Sequence, residues 1–353
     1  MLAVLLAGLV AVPSVVRALP VSSPGVAPAE LLQKVRASGS VGWSGYAESR
    51  GTLVLPDAKQ LGDLPSLLAG TTRVRTWWRG PQDHRLDVLG LATETDIGAD
   101  GQGTWSYRPA DFQAVRVFGT VPVHLPTAED LLAPVLGRRL AGTAATRVLG
   151  LPARRVAGRA AAGLRILPLI QAATTVGHVD LWAEPRTGLP LRVDVVARGQ
   201  KSPSITSVVL DLDLRAPDRA RTRFTVPDAT YVDVQQAPDV VSALERVLRY
   251  VLPPSLLGLP RTNPLGQTGG GGVGTYGSGF GVLAVVPVPP GQARTLVDRL
   301  RSQGGRIDSP LVSGLLVEAG HRAYVLSGLV PPDVLRRIGE ELVRNPPPRR
   351  DDP

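Results

Sequence analysis

The sequence predicts an α+β protein: a wide antiparallel sheet with helices on one face, followed by a small C-terminal α/β module. Three observations lead there. Apolar and polar residues alternate over much of 41–214, the period-two pattern of half-buried strands. Segments with helical spacing at 28–37, 127–136 and 240–252 interrupt or follow that alternation. A Gly-, Pro- and Thr-rich stretch, 256–279, separates it from a shorter strand–helix–hairpin–helix succession over 280–343. A wide antiparallel sheet without a partner sheet must cover one face with helices, and incomplete cover leaves an apolar cavity.

The elements follow in order. Residues 2–16 carry no charge and are too short for the ~20 residues that cross a bilayer. With the Pro/Ser/Gly spacer to residue 27 they read as a signal peptide or a membrane anchor, which predicts an exported, extracytoplasmic chain, secreted or membrane-anchored. The sheet domain is expected over 28–235. It opens with an amphipathic helix (Leu31, Leu32, Val35) and a Gly-relieved strand from Val41 to Leu55, and 56–70 reads as a loop with an apolar tip at Leu64, Leu67 and Leu68. Strands at 72–78, 84–89, 104–107 and 112–118 then form a meander through Gly80-Pro81 and Asp100-Gly101 turns. Thr127-Ala-Glu-Asp130 has the capping-box pattern that opens a helix.

A strand over 146–158, broken at Gly150-Leu151-Pro152, leads to an ambiguous apolar run at 164–174 and a hairpin at 178–197. In that hairpin Pro185 presets φ at the corner and Gly188 supplies a positive φ. Strict alternation of Val208, Leu210, Leu212 and Leu214 marks one more strand. Residues 236–279 are expected to be a helix and linker, 280–343 the small module and 344–353 a disordered tail.

Composition narrows the function. The 353 residues include no Cys, which excludes disulfides, thiol chemistry and a lipid-modified cysteine. The net charge is +9, but Lys34, Lys59 and Lys201 are the only lysines among 39 basic residues, an Arg bias that follows genome composition. Basic residues clustered with interleaved aromatics are absent, so nucleic acid is not an expected partner, whereas an anionic membrane surface fits the charge. Gly272-Val-Gly274-Thr-Tyr-Gly277 matches G-x-G-x-x-G, yet a linker precedes it and an apolar β-pattern follows, the reverse of a dinucleotide site. His84, His124, His178 and His321 are scattered without ligand spacing, and Asp211 and Asp213 fit a solvated strand face, so neither metal nor cofactor is expected. No G-x-S-x-G elbow exists, and no paired carboxylates suggest acid–base chemistry; the chain is expected not to be an enzyme. What remains is apolar binding. Large rings are scarce here, and the strand-borne Trp43, Tyr46, Trp78, Trp105, Tyr107 and Trp182 are the candidate cavity lining, with core completion as the competing role.

The segment Trp182–Arg192, W-x-x-P-x-T-G-L-P-L-R, resembles a hallmark hairpin of the LolA-like superfamily, which includes outer-membrane lipoprotein carriers and RseB-type regulators of sigma-E signalling. The run Arg75–Asp87 (R-T-W-W-R-G-P-x-x-x-R-L-D), the hairpin Gly98–Pro109 and the Phe224–Pro227 element are similar to the same family, and Arg322–Leu342 is similar to the ending of RseB-type proteins. The resemblance implies that 28–235 is a curved antiparallel half-barrel with helices on its concave face, one that binds rather than transforms. Its expected role is a carrier or sensor of lipid or lipoprotein acyl chains in the cell envelope. The alternative is an RseB-type protein docking on the extracytoplasmic part of an anti-sigma factor or another membrane protein.

Overall fold

A computed structural model describes residues 25–54, 63–90, 93–119, 126–144, 146–223, 230–236, 251–262, 274–288, 294–302, 304–320 and 322–348, with positions 225, 227 and 228. The expected signal or anchor segment, His124, His321 and the helix expected at 240–252 lie wholly or largely outside the described residues. Among the described residues no helix is long and apolar enough to cross a membrane.

Twelve strands make the larger sheet: β1 (Trp43–Gly51), β2 (Thr71–Gly80), β3 (Asp83–Leu89), β4 (Glu94–Asp100), β5 (Gly103–Arg108), β6 (Gln113–Phe118), β7 (Thr146–Val156), β8 (Arg159–Pro168), β9 (Val176–Ala183), β10 (Pro190–Ala197), β11 (Ile205–Asp213) and β12 (Tyr231–Gln236). Their order is β12-β6-β5-β4-β3-β2-β1-β11-β10-β9-β8-β7, so the sheet is open at both edges and not closed into a barrel. Neighbours are antiparallel apart from β12, which runs parallel to β6 with Tyr231 opposite Gln113. This antiparallel-dominated sheet with helices on one face is the arrangement the sequence predicts.

The helices lie on what we term the inner face. Helix α1 (Pro28–Ala37) buries Leu31, Leu32 and Val35. A short helix, α2 (Leu64–Ala69), buries Leu64 and Leu68, so the expected loop tip is a helix whose leucines belong to the core. Helix α3 (Ala133–Ala141) begins six residues later than the capping-box pattern suggested. The box is nonetheless made: the Thr127 amide and hydroxyl both donate to Asp130 Oδ2, at 2.8 and 3.1 Å. It closes a turn, and Pro134, whose missing N–H is harmless in a first helical turn, opens the helix proper. Gly137 brings α3 down onto β9 and β10, since a Cβ there would stand 2.7 Å from Pro190 Cβ and 2.9 Å from Leu181 Cδ1.

The 184–189 hairpin is fixed at both levels. Gly188 has φ +72°, and a Cβ on it would meet the Lys34 carbonyl carbon at 2.3 Å, so this turn packs directly against α1. Lys34 Nζ donates to Pro185 O at 3.1 Å, and Glu184 Oε2 accepts from the Thr187 amide and hydroxyl, both at 2.7 Å.

On β11 the expected face is reversed only up to a bulge at Leu210. Consecutive Tyr46 and Ala47 of β1 pair with Asp211 and Val209, so the core receives Ser207 and Val209 before the bulge and Leu212 after it, while Leu210 is exposed. Ser207 is accommodated because its hydroxyl donates to Leu131 O at 2.5 Å.

The smaller sheet has the order β13-β14-β15-β16-β19-β18-β17 and starts earlier than expected. Its strands are β13 (Ser255–Leu256), β14 (Leu259–Thr262), β15 (Gly274–Tyr276), β16 (Leu283–Val288), β17 (Arg306–Asp308), β18 (Ser313–Ala319) and β19 (Arg322–Gly328). The segment read as a linker thus supplies three strands, and the second half of G-x-G-x-x-G is β15. Helices α4 (Arg294–Ser302) and α5 (Pro332–Arg344) complete the module, with Leu335, Ile338, Gly339 and Leu342 buried on α5. The expected disordered tail is partly held, since Val251 N donates to Pro348 O and Arg322 to Pro347 O.

Two buried threonines join the sheets. The Thr174 hydroxyl lies 2.7 Å from Phe280 O and 2.9 Å from Leu329 O, and the Thr175 hydroxyl donates to Leu311 O at 2.5 Å. Phe280 and Leu311 pack into the core of the larger domain.

Candidate functional site

Directly opposed residues of an antiparallel pair share a sheet face, so the register assigns each side chain. On the inner face, α1 and α3 seal β8–β11: Leu164, Ile166, Val179, Leu181 and Val193 are fully buried. Over β4–β6 the same face carries Ile97, Ala99, Thr104, Ser106, Val115 and Val117, and several of these remain partly open. With Pro81, Gln82, His84, Thr127 and Glu129 they line a cavity of about 410 Å³. Its walls are predominantly apolar, and its size lies in the range of small-ligand sites.

His84 marks the border between the two parts. Its ring stacks on Trp78 with centroids 4.5 Å apart and 17° between planes, and its Nδ1 is 3.3 Å from Gly80 O. Nε2 faces Glu129 Oε2 at 3.2 Å, an ion-pair distance without the alignment of a hydrogen bond. Trp78 donates to Gly39 O at 3.1 Å, with the Arg138 guanidinium 6.0 Å from its ring centre. Burial and the neighbouring Arg139 lower the Arg138 pKa, while Glu129 raises it.

The six aromatic candidates divide. Trp105 borders the cavity, but the register turns its side chain to the outer face beside that of Tyr107. Trp43 and Trp78 are opposed on the inner face but sealed in the core. Tyr46, Tyr107 and Trp182 register on the outer face, so they do not converge on the cavity. Trp182 Nε1 donates to Pro152 O at 3.0 Å, and Arg154 covers its ring at 4.4 Å. The Trp105 ring itself crosses Gly98, where a Cβ would meet it at 2.7 Å. The cavity is therefore lined chiefly by β-branched and hydroxyl residues, which aromatic scarcity could not have revealed. The usable signal was the absence of helix over 94–118.

The outer face holds a second cluster that the sequence reading missed. Asp87, Glu94 and Asp96 bring carboxylate oxygens within 4.8 Å of one another, the composition of a cation site. Arg85 already supplies positive charge there, 2.7 Å from Asp87 and 2.9 Å from Asp96. Burial, then the Asp87 charge, push Asp96 up to about 7 against the pull of Arg85. Asp211 and Asp213 follow β1 on the same face, where Arg215 pairs with Asp213 at 2.7 Å and lowers its pKa. His178 sits 3.8 Å from Asp180, its pKa lowered by burial and by Arg165.

No protein-family model matches the chain, and no curated protein matches its sequence. Among solved structures it is similar to a chain of the Pseudomonas aeruginosa MucA/MucB complex, with TM-score 0.48 and 16% identity over 88% of this chain and 95% of that one. It is also similar to MucB alone, with TM-score 0.45 and 17% identity over 89% and 96%. A LolA superfamily protein from Nitrosomonas europaea aligns with TM-score 0.25 and 13% identity, over 57% of this chain and 99% of that one. The last carries the superfamily name that the 182–192 hairpin resembles.

Proposed function

We propose that this chain is a non-enzymatic, extracytoplasmic binding protein that holds acyl chains of lipids or lipoproteins in the cavity over β4–β6, as a carrier or sensor in the cell envelope. One observation carries the reading: an apolar cavity of about 410 Å³ on the stretch of inner face that α1 and α3 leave open. Ile97, Val115 and Val117 offer the apolar wall, and His84, Thr127 and Glu129 offer polar contacts. The uncharged segment 2–16 and the hairpin resemblance support an exported, LolA-like role.

Native mass spectrometry and lipid extraction of the purified chain test it. Copurifying acyl material is expected in the wild type and is expected to disappear in Val117→Trp, which fills the cavity. A folded wild-type protein that is repeatedly empty overturns the proposal. Turnover of an ester or glycolipid panel would overturn the non-enzymatic part.

The second reading, an RseB-type regulator bound to the extracytoplasmic part of an anti-sigma factor, is favoured by the second sheet, which Thr174 and Thr175 fasten to the first. Recovery of a stoichiometric membrane protein in a pull-down supports regulation, and lipid alone supports carriage.

A further inference from the structure

We infer that the arginine-rich turn after β11 is a docking surface for an anionic membrane face, placed at the end of the large sheet where the cavity also opens. Its role in loading or unloading rests on the acyl-binding reading; the docking itself does not.

The register locates this end. The β2–β3 turn at Gly80–Asp83, the β4–β5 turn at Asp100–Gly103, the end of β6 at Phe118 and the end of β11 at Asp213 fall together. Pro81, Gln82, Gly103 and Gly119 of the cavity belong to it. The second sheet is fastened at Thr174 and Thr175, beyond the opposite ends of the strands, so it leaves this end clear.

The turn is anchored, not loose. Thr222 is fully buried, and its hydroxyl donates to Asp83 Oδ1. Arg79 donates to Pro217 O and pairs with Asp83 at 3.0 Å. That anchoring leaves Arg219, Arg221 and Arg223 exposed, and among the described residues none has a carboxylate partner. Of the nearby acids, Asp83 is engaged by Arg79 and Thr222, and Asp213 by Arg215; Asp211 and Asp218 have no basic partner among the described residues. Three free guanidinium groups therefore face outward against two free carboxylates. Beside them a cleft of about 490 Å³ has Ser44, Trp77, Asp213, Arg215, Asp218 and Arg221 in its lining. At the same end Phe118 is exposed, with the Arg116 guanidinium 5.2 Å from its ring centre.

Basic residues held at a surface with a neighbouring exposed aromatic are the pattern that meets an acidic leaflet: the charges gain from the negative surface potential and the ring sits at headgroup depth. Free phosphate would satisfy the guanidinium groups alone, without using the ring or the cavity mouth.

Co-sedimentation of the full chain with vesicles of phosphatidylcholine, with or without phosphatidylglycerol, tests the inference. Binding is expected only to phosphatidylglycerol vesicles, weakening as salt rises. R219Q/R221Q/R223Q is expected to weaken it on the order of 100-fold, at about fivefold per arginine. A charge-matched control, R147Q/R306Q/R337Q, removes three exposed arginines elsewhere and is expected to retain binding; circular dichroism verifies that both variants fold. Equal binding to neutral vesicles, equal loss in both triple variants, or displacement by inorganic phosphate matched to the lipid phosphate overturns the inference. Native mass spectrometry on R219Q/R221Q/R223Q separates the two proposals. Retained acyl material with lost vesicle binding supports both, whereas an empty wild type that still binds vesicles through these arginines removes only the cavity reading.

Discussion

The inner face of the large sheet is finished in two ways. Over β8–β11 the alternating positions carry large aliphatics, and α1 and α3 lie on them; over β4–β6 they carry Ile97, Thr104, Ser106, Val115 and Val117, and the cavity remains. Both parts share the same pleat and an antiparallel register. Whether a strand face becomes core or pocket is thus decided by what the chain lays across it. Gly137 and Gly188 make the difference possible, letting α3 and the 184–189 turn approach at distances a Cβ would forbid. Trp78 and His84 form the seam, one ring sealed in the core and the other at the cavity wall.

The largest expected effect follows from the covered part. Leu181 is fully buried beneath α3, where it packs against Gly137. Leu181→Ala is expected to destabilise the fold by roughly 2–5 kcal/mol, read as a lower urea midpoint at unchanged slope. A loss under ~1 kcal/mol would mean that α3 does not seal this half.

The parts of the fold that the sequence disclosed are those where one local rule acts alone. The 178–197 hairpin was legible because Pro185 and Gly188 settle the turn, and the β2–β3 pair because Gly80-Pro81 does the same. Where two rules compete, the local reading failed. The alternation of Val208, Leu210 and Leu212 is broken by a bulge at Leu210, which only the pairing with β1 reveals. Strands β13 to β15 are short and Gly/Pro-rich, and they exist because they pair in series onto β16 and share a core with α5 through Leu256 and Tyr276. The cavity was legible as a consequence of incomplete helical cover. Its lining was not, because six aromatics on alternating strands say nothing about which face each strand turns inward.

The outer faces sharpen the same contrast. Behind β8–β10 of the covered part the acids are paired singly, Arg165 with Asp180 at 2.6 Å and Arg192 with Asp194 at 2.9 Å. Behind the cavity Arg85 serves both Asp87 and Asp96, with Glu94 alongside. Asp96, raised from 3.8 to about 7, keeps a proton in the folded state that the unfolded chain has released across that interval. Stability should therefore fall as pH rises from about 4 to 7 and level off above, the opposite of a salt-bridged carboxylate. Asp96→Asn, neutral throughout, should lack this part of the slope, and the difference between the two proteins should reach ~1–3 kcal/mol at neutral pH. A difference that does not change with pH would show that Asp96 stays ionised.

The smallest expected effect belongs to the cavity wall. Val117 is opposite Thr104 on the inner face and borders empty space, so truncating it enlarges an existing cavity instead of creating one in packed surroundings. The loss should stay under ~1 kcal/mol, below the usual range for deleting buried methyl groups. Val117→Ala should thus leave the urea midpoint nearly unchanged while shifting the copurified acyl material toward bulkier chains, because the wall it removes is one the guest touches. A destabilisation as large as that of Leu181→Ala would mean that the two halves of the sheet are packed alike, and that β4–β6 is core under another cover.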